Sequence, residues 1–195
     1  MLNSGFLRPS TLLFAFPRLP FPLLGVNELF QFCPKCGRKN LSSPEPKLLE
    51  CNACDFQFYR NAAVATAAMI RDAEGRVLLT RRAKDPAKGK LGMPGGFVDL
   101  GETAEAGLCR EVREEIGLEL RDIRFLMSWP NEYVYRGIVY PTVDLFFTAE
   151  VPSFTEARAL SEVETLEVRD PATVKPEELA FESMRRAVRF YVQHR

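Results

Sequence analysis

The sequence has very little histidine. Among 195 residues the only one is His194, beside the C-terminus. A Ser-His-Asp triad, a Cys-His pair or a catalytic zinc with histidine ligands each needs a histidine in the body of the fold. The sequence therefore excludes these mechanisms. Any catalysis has to rest on carboxylates, lysines, tyrosines or a metal ion held by carboxylates.

The chain also lacks an excess of charge of either sign and lacks a long apolar run. Its 26 Lys and Arg residues balance 26 Asp and Glu residues, so the overall charge does not attract nucleic acid or an anionic membrane. Prolines and arginines interrupt the apolar residues near the N-terminus well before the roughly 18 to 20 that a transmembrane helix requires. We expect a cytoplasmic protein with no nucleic-acid and no membrane partner. Residues 1–29 are predicted to be a poorly ordered extension, with a targeting segment as the alternative.

Four of the five cysteines form two Cys-x-x-Cys pairs separated by 14 residues, and Cys109 stands alone. This spacing predicts a tetrahedral Zn²⁺ site and a zinc ribbon at residues 30–60. Because four thiolates leave no open position, the ion would be structural and not catalytic. A redox dithiol and a ribbon that binds nucleic acid are the alternatives. The predicted zinc ligands are Cys33, Cys36, Cys51 and Cys54.

From residue 61 onward the apolar residues follow strand and helix periods in turn, which predicts an α/β domain over residues 61–195. A turn at 72–75 is predicted to join the first two strands in a hairpin. The predicted strands are 64–70, 76–82, 123–128, 142–151 and 163–168, and the predicted helices are 103–116 and 181–193.

The first predicted helix carries three carboxylates on one face. Glu111 and Glu115 are one turn apart, and Glu114 lies between them in height. Like charges at this spacing destabilise a helix by about a few tenths of a kcal/mol per pair, a cost that a bound divalent cation would offset. Mg²⁺ and Mn²⁺ prefer such oxygen ligands. An ordinary solvated helix with charged side chains is the alternative.

The segment from Gly96 to Leu118 extends this pattern in both directions. It reads GFVDLGETAEAGLCREVREEIGL and fits G-x₅-E-x₇-R-E-U-x-E-E-x-G-U, with U aliphatic, at every position. The chain therefore resembles the Nudix hydrolase family. The resemblance implies an α/β fold, the Nudix α/β/α sandwich around a mixed sheet, preceded here by the small Cys₄ zinc ribbon.

The resemblance also implies roles for the residues of this segment, which we call the box. Glu111, Glu114 and Glu115 would bind the catalytic Mg²⁺ or Mn²⁺, and Glu114 or Glu115 would also orient or deprotonate the attacking water. Arg110 would hold a catalytic carboxylate by a charge-assisted hydrogen bond. Glu102 would be structural, or would hold a metal ligand without touching the metal. The family hydrolyses a nucleoside diphosphate linked to another moiety, and bound metal lowers the pKa of water there.

A zinc ribbon ahead of such a domain resembles the NADH pyrophosphatase subgroup and related ADP-ribose or FAD pyrophosphatases. The NADH subgroup carries Ser-Gln-Pro-Trp-Pro-Phe-Pro beyond its box, whereas this chain has only Ser128-Trp129-Pro130 of it, so all three substrates stay open. We expect Trp129 and Tyr133 to stack on a ring of a small nucleotide substrate. Arg81 is expected to contact its phosphates, and Glu162 is a further candidate metal ligand.

A second hypothesis is a non-catalytic Nudix-like sensor that binds a nucleotide and acts on nucleic acid through its ribbon. The intact box and the lack of a strong basic patch favour the hydrolase. Ribbon-bearing relatives are often dimers, which leaves a homodimer open by analogy.

Overall fold

A computed structural model describes residues 30–195, and the extension predicted at residues 1–29 lies outside the described residues. Neither α-helix in the described part is long and apolar enough to cross a membrane. The strands are β1 (Leu41–Glu45), β2 (Leu48–Cys51), β3 (Gln57–Tyr59), β4 (Ala63–Arg71), β5 (Val77–Arg82), β6 (Leu91–Gly92), β7 (Arg121–Tyr135), β8 (Ile138–Glu150) and β9 (Val163–Arg169). The α-helices are α1 (Ala104–Ile116) and α2 (Glu182–His194).

The first three strands form a small antiparallel sheet in the order β1-β2-β3. Leu48 and Leu49 of the central strand are buried. The second cysteine pair begins at Cys51, the last residue of β2, while the first pair lies in the turn before β1. Gly37 follows that first pair with φ +71°, a backbone conformation that glycine adopts without strain.

The other six strands form a mixed sheet with the path β6-β5-β4-β8-β7, and β9 pairs with β5. β4 and β8 are parallel, from Ala63 opposite Thr142 to Arg71 opposite Glu150, and the other named pairs are antiparallel. β4 is apolar along nearly its whole length instead of alternating. This is typical of a strand with both faces covered.

One helix covers each face of the mixed sheet, which gives the predicted α/β/α sandwich. Buried side chains of α1 pack against Ala68 and Ile70 of β4, and buried side chains of α2 pack against Ala67 and Met69. Neighbouring residues of β4 thus point to opposite helices, as the twofold period of a strand requires. The packing residues are Leu108, Val112 and Ile116 of α1, and Met184, Ala187, Val188 and Tyr191 of α2.

β7 is much longer than the strand predicted at 123–128. It continues to Tyr135 and turns back at Arg136 and Gly137, whose φ angles of 49° and 78° suit a two-residue hairpin turn. The predicted strand ended before Pro130, because proline cannot donate a hydrogen bond to a sheet. At the end of the sheet path it is tolerated, since one row of N–H groups on an edge strand needs no partner.

Candidate active site

Two glycines let the box helix approach the sheet. The segment 94–98 runs beside β4, held by three backbone hydrogen bonds of 2.8–3.0 Å. A Cβ atom on Gly95 would lie 2.1 Å from the Thr66 carbonyl oxygen, and one on Gly96 would lie 2.4 Å from Cδ of Glu111. At Gly95 the clash is with backbone and φ is +142°, so only glycine fits there, whereas a side chain at Gly96 would displace the Glu111 carboxylate. The box carboxylates therefore rest directly against backbone.

Glu115 is a partly buried residue whose carboxylate Oε2 accepts a hydrogen bond from the Gly95 N–H at 3.0 Å. Burial raises its pKa to about 8, although the Gly95 N–H and the charge of Arg82 oppose the shift. Burial also raises the pKa of Glu111, against the opposing effect of Arg110. A cation bound between these carboxylates would offset the cost of burying their charge.

Arg110 ties the loop before α1 to the helix. Its Nε and Nη2 donate to the two carboxylate oxygens of Glu102 at 2.9 and 3.0 Å, and Nη2 also donates to the Phe97 carbonyl at 3.0 Å. Its Nη1 donates to Glu111 Oε1 at 3.0 Å. The hydrogen bonds from Arg110 and from the Asp99 N–H lower the pKa of Glu102. Glu102 thus orients Arg110, and Arg110 orients Glu111.

These groups open onto a cavity of about 150 Å³ on the α2 side of the sheet. Its lining falls into four groups: charged side chains, aromatic rings, small alanines, and a hydrogen-bonded polar cluster that we call the polar end. In that order the lining residues include Glu111, Glu115, Glu162 and Arg82; Phe97, Tyr133 and Phe181; Ala65 and Ala67; and Asn131, Thr142 and Asp144.

The predicted metal ligands are not equivalent in the structure. Glu111 and Glu115 line the cavity, and so does Glu162, whose Oε1 lies 3.1 Å from Nζ of Lys84. Glu114 does not line it. Its side chain is 55% exposed and lies 3.5 Å from Arg110 Nη1.

The predicted substrate-binding residues separate in a similar way. Tyr133 lines the cavity, with its ring centroid 5.3 Å from that of Phe97 and 5.9 Å from that of Phe181. Trp129 lies nearer the start of β7, where the guanidinium of Arg186 sits over its ring at 5.2 Å. The structure does not bring Trp129 to this cavity.

Arg81 also lies away from the cavity. It donates to the Gly89 carbonyl at 2.5 Å and pairs with Glu167 of β9. Its neighbour Arg82 lines the cavity instead, because successive strand residues face opposite sides. The Arg82 guanidinium lies 5.3 Å from the ring centroid of Phe181.

Sequence reasoning missed the polar end of the cavity. Asp144 is a single carboxylate within the apolar strand segment 143–147, and a charge in such a run is the one signal that points to it. Asn131 and Phe181 carry no comparable signal. Asn131 enters the cavity because β7 extends beyond Pro130, and Phe181 enters it because it directly precedes α2.

The four paired cysteines lie together beside the small sheet. The Sγ atoms of Cys33 and Cys54 are 3.8 Å apart, those of Cys36 and Cys51 are 3.7 Å apart, and all four lie within 4.8 Å of one another. A tetrahedral ion with Zn–S bonds of about 2.3 Å would place its sulfurs about 3.8 Å apart, so the donor set fits Zn²⁺. Within residues 30–195 no other group of three or more such ligand atoms is as close, so the box carboxylates are spread more widely.

The NUDIX domain family matches residues 61–191, and the chain belongs to the Nudix family. It is 33% identical over 126 residues to an NAD-capped RNA hydrolase, NudC, of Mannheimia succiniciproducens, covering 58% of this chain and 47% of that protein. It is 41% identical over 63 residues to an ADP-ribose pyrophosphatase of Methanocaldococcus jannaschii, covering 32% and 37% respectively. The chain spans about half the length of the NudC relatives it matches.

Among solved structures, the fold is similar to a NUDIX hydrolase from Nitrosomonas europaea. The TM-score is 0.65 at 24% sequence identity, with 85% of this chain and 92% of that chain covered. At this identity the likeness concerns the fold.

Proposed function

We propose that this protein is a divalent-cation-dependent hydrolase that cleaves a nucleoside diphosphate linked to another moiety and releases a nucleoside monophosphate. The carrying observation is that Glu111, Glu115 and Glu162 share one cavity with the aromatic ring of Tyr133. Such a cavity offers oxygen ligands for a cation beside a surface on which a nucleotide ring can pack.

Mg²⁺ or Mn²⁺ suits this donor set because hard cations take carboxylate oxygens. Glu111 and Glu115 would hold the ion, joined by Glu162 or, after rotation of its exposed side chain, by Glu114. When bound, the ion neutralises diphosphate charge and lowers the pKa of a coordinated water.

The protein's own residues supply orientation. Arg110 fixes Glu111, and the Gly95 N–H fixes Glu115. We assign the orientation or deprotonation of the attacking water to Glu115, the box carboxylate that lines the cavity and accepts from the Gly95 N–H. Arg82 takes the phosphate-contacting role first expected of Arg81, because its guanidinium is the one beside the cavity.

The relatives' names suggest candidate substrates. Two of them, NAD-capped RNA and ADP-ribose, are named in the relatives above, and NADH and FAD come from the sequence resemblance. The sequence alone predicts no nucleic-acid partner, but a capped RNA is one candidate substrate, so RNA is included among the proposed partners. We further propose that residues 30–60 form a structural zinc ribbon, that residues 61–195 form the hydrolase domain, and that the protein is a homodimer.

The test is a hydrolysis panel with Mg²⁺ on NADH, ADP-ribose, FAD and a short NAD-capped RNA, with release of nucleoside monophosphate as the readout. We expect turnover of at least one, and we expect Glu115→Gln to lower kcat/KM by about 100-fold or more with unchanged circular dichroism.

The matched control is Glu119→Gln, since Glu119 is exposed just beyond the same helix and pairs with Arg113. Its activity should stay near that of the wild type. Full activity of Glu115→Gln would refute the assigned site. No turnover on any substrate, together with nucleotide-dependent DNA binding, would favour the sensor hypothesis.

A further inference from the structure

Asp144 is a buried carboxylate at the polar end of the cavity. It is 8% exposed and lies on the same face of β8 as Thr142 and Phe146. Its Oδ1 accepts from the Thr142 hydroxyl at 2.7 Å, and its Oδ2 accepts from the Ser183 hydroxyl at 2.6 Å. The Asn131 side chain also donates to it. All three of these hydrogen-bond donors to Asp144 are neutral groups.

The hydrogen bonds leave this carboxylate able to accept more. An ionised carboxylate offers about four acceptor positions, and the two hydroxyls and the amide occupy three of them. Because Asp144 lines the cavity, a ligand there can reach it. Burying a charged group with an unused acceptor position is costly unless a donor meets it.

The rest of the cavity fits a planar ring at this end. Tyr133 and Phe181 form an aromatic wall with ring centroids 5.9 Å apart. Ala65 and Ala67 on β4 also line the cavity with small side chains, and Ala65 is paired with Asp144 across the sheet. Asn131 precedes Tyr133 by two residues on β7, so both side chains lie on one face of that strand.

We propose that Asp144, together with Asn131, recognises a nucleobase that carries an amino group, as adenine does, and rejects one with a carbonyl oxygen in its place. This inference rests on the proposed function. A carboxylate only accepts hydrogen bonds, so a ring amino group supplies the donor it needs, whereas a ring carbonyl would place two acceptors against each other. The diphosphate then extends toward Arg82 and the cavity wall with Glu111 and Glu115.

The test is calorimetric binding of AMP, IMP and 2′-deoxy-AMP in the presence of Mg²⁺. IMP differs from AMP at the ring group that Asp144 is proposed to recognise. We expect the wild type to bind AMP about tenfold more tightly than IMP, as the loss of a hydrogen bond to a charged group predicts. Removal of the 2′-hydroxyl should matter much less. In Asp144→Asn the new amide can donate to the IMP carbonyl, so the AMP/IMP ratio should fall toward one.

Ser183→Ala separates recognition from a purely structural role. It removes one hydroxyl that joins Asp144 to α2 and should lower the melting temperature while keeping the AMP/IMP ratio. Equal binding of AMP and IMP by the wild type would overturn the proposal, and that comparison needs no variant to fold. Discrimination against 2′-deoxy-AMP alone would also overturn it, in favour of ribose recognition. Binding is scored without hydrolysis, so AMP preference without turnover would refute only the proposed function.

Discussion

Two glutamates of the box, Glu102 and Glu115, have pKa values shifted in opposite directions by their surroundings. Glu102 has its pKa lowered because Arg110 donates two hydrogen bonds to it. Glu115 has its pKa raised to about 8 because partial burial of its carboxylate disfavours the charged form. The box pattern names both residues but carries no information on burial. The structure supplies that difference, and it singles out Glu115 as the carboxylate that gains most from a cation.

Asp144 leads to a prediction on pH. Burial raises its pKa above the usual 3.8, against the opposing hydrogen bonds from Ser183 and Thr142. Above pH 3.8 the folded protein therefore holds a proton that the unfolded chain has released. The contribution of this group to stability is complete at lower pH and is lost as the pH rises through the folded-state pKa.

The measurement is the free energy of unfolding by urea at a series of pH values from about 3.5 upward. The wild type should lose stability relative to Asp144→Asn as the pH rises through this window, because the variant cannot ionise there. Parallel pH profiles for the two proteins would show that the Asp144 carboxyl has its ordinary pKa.

At the scale of elements, α1 is specified locally. Thr103 accepts the Ala106 N–H at 3.2 Å, Gly117 ends the helix with φ +71°, and the apolar stripe turns to the sheet. The helix predicted at 103–116 differs from the observed Ala104–Ile116 only at its capping residue. The prediction for β7 differed more from the structure, because the strand continues through Pro130. An edge strand tolerates a proline, and the order of strands in the whole sheet decides which strand is at the edge.

The cap of α1 gives a prediction at this scale. Thr103→Ala removes the side-chain acceptor at the start of the helix and should lower the free energy of unfolding by about 1 kcal/mol. Thr103→Ser keeps the hydroxyl and is the control. Urea titration of both variants measures the effect. A loss of equal size in the serine variant would mean that the methyl group, and not the cap, stabilises the helix.

At the scale of the whole molecule, hydrogen bonds of Arg60 connect the small sheet of β1, β2 and β3 to the larger mixed sheet. The Arg60 N–H donates to the Lys47 carbonyl at 2.7 Å, and its Nη2 donates to the Val139 carbonyl on β8 at 2.8 Å. A sheet of three short strands has little apolar core, so a bound Zn²⁺ would contribute much of its folding free energy.

Metal analysis checks this reading of the cysteines. Protein purified with zinc should contain about one zinc per chain, and Cys36→Ser should lose most of it. Cys109→Ser is the matched control, since Cys109 lies on α1 and outside the cluster, and it should keep its zinc. Removal of zinc by a chelator should lower the melting temperature of the wild type. Full zinc content in Cys36→Ser would contradict a Cys₄ site.

The sequence by itself determined the features that depend on neighbours along the chain. These are the cysteine spacing, the box, the limits of α1, and the exclusion of histidine-based mechanisms, because turns, caps and helix faces are set within a few residues. Only the tertiary structure decided which side chains share the cavity. The parallel pairing of β4 with β8 sets Ala65 beside Asp144, 79 residues apart in sequence. The long β7 then adds Tyr133, and α1 on the far face adds Glu115 through the gap left by Gly95 and Gly96. Such contacts depend on strand order and burial, which no local pattern encodes.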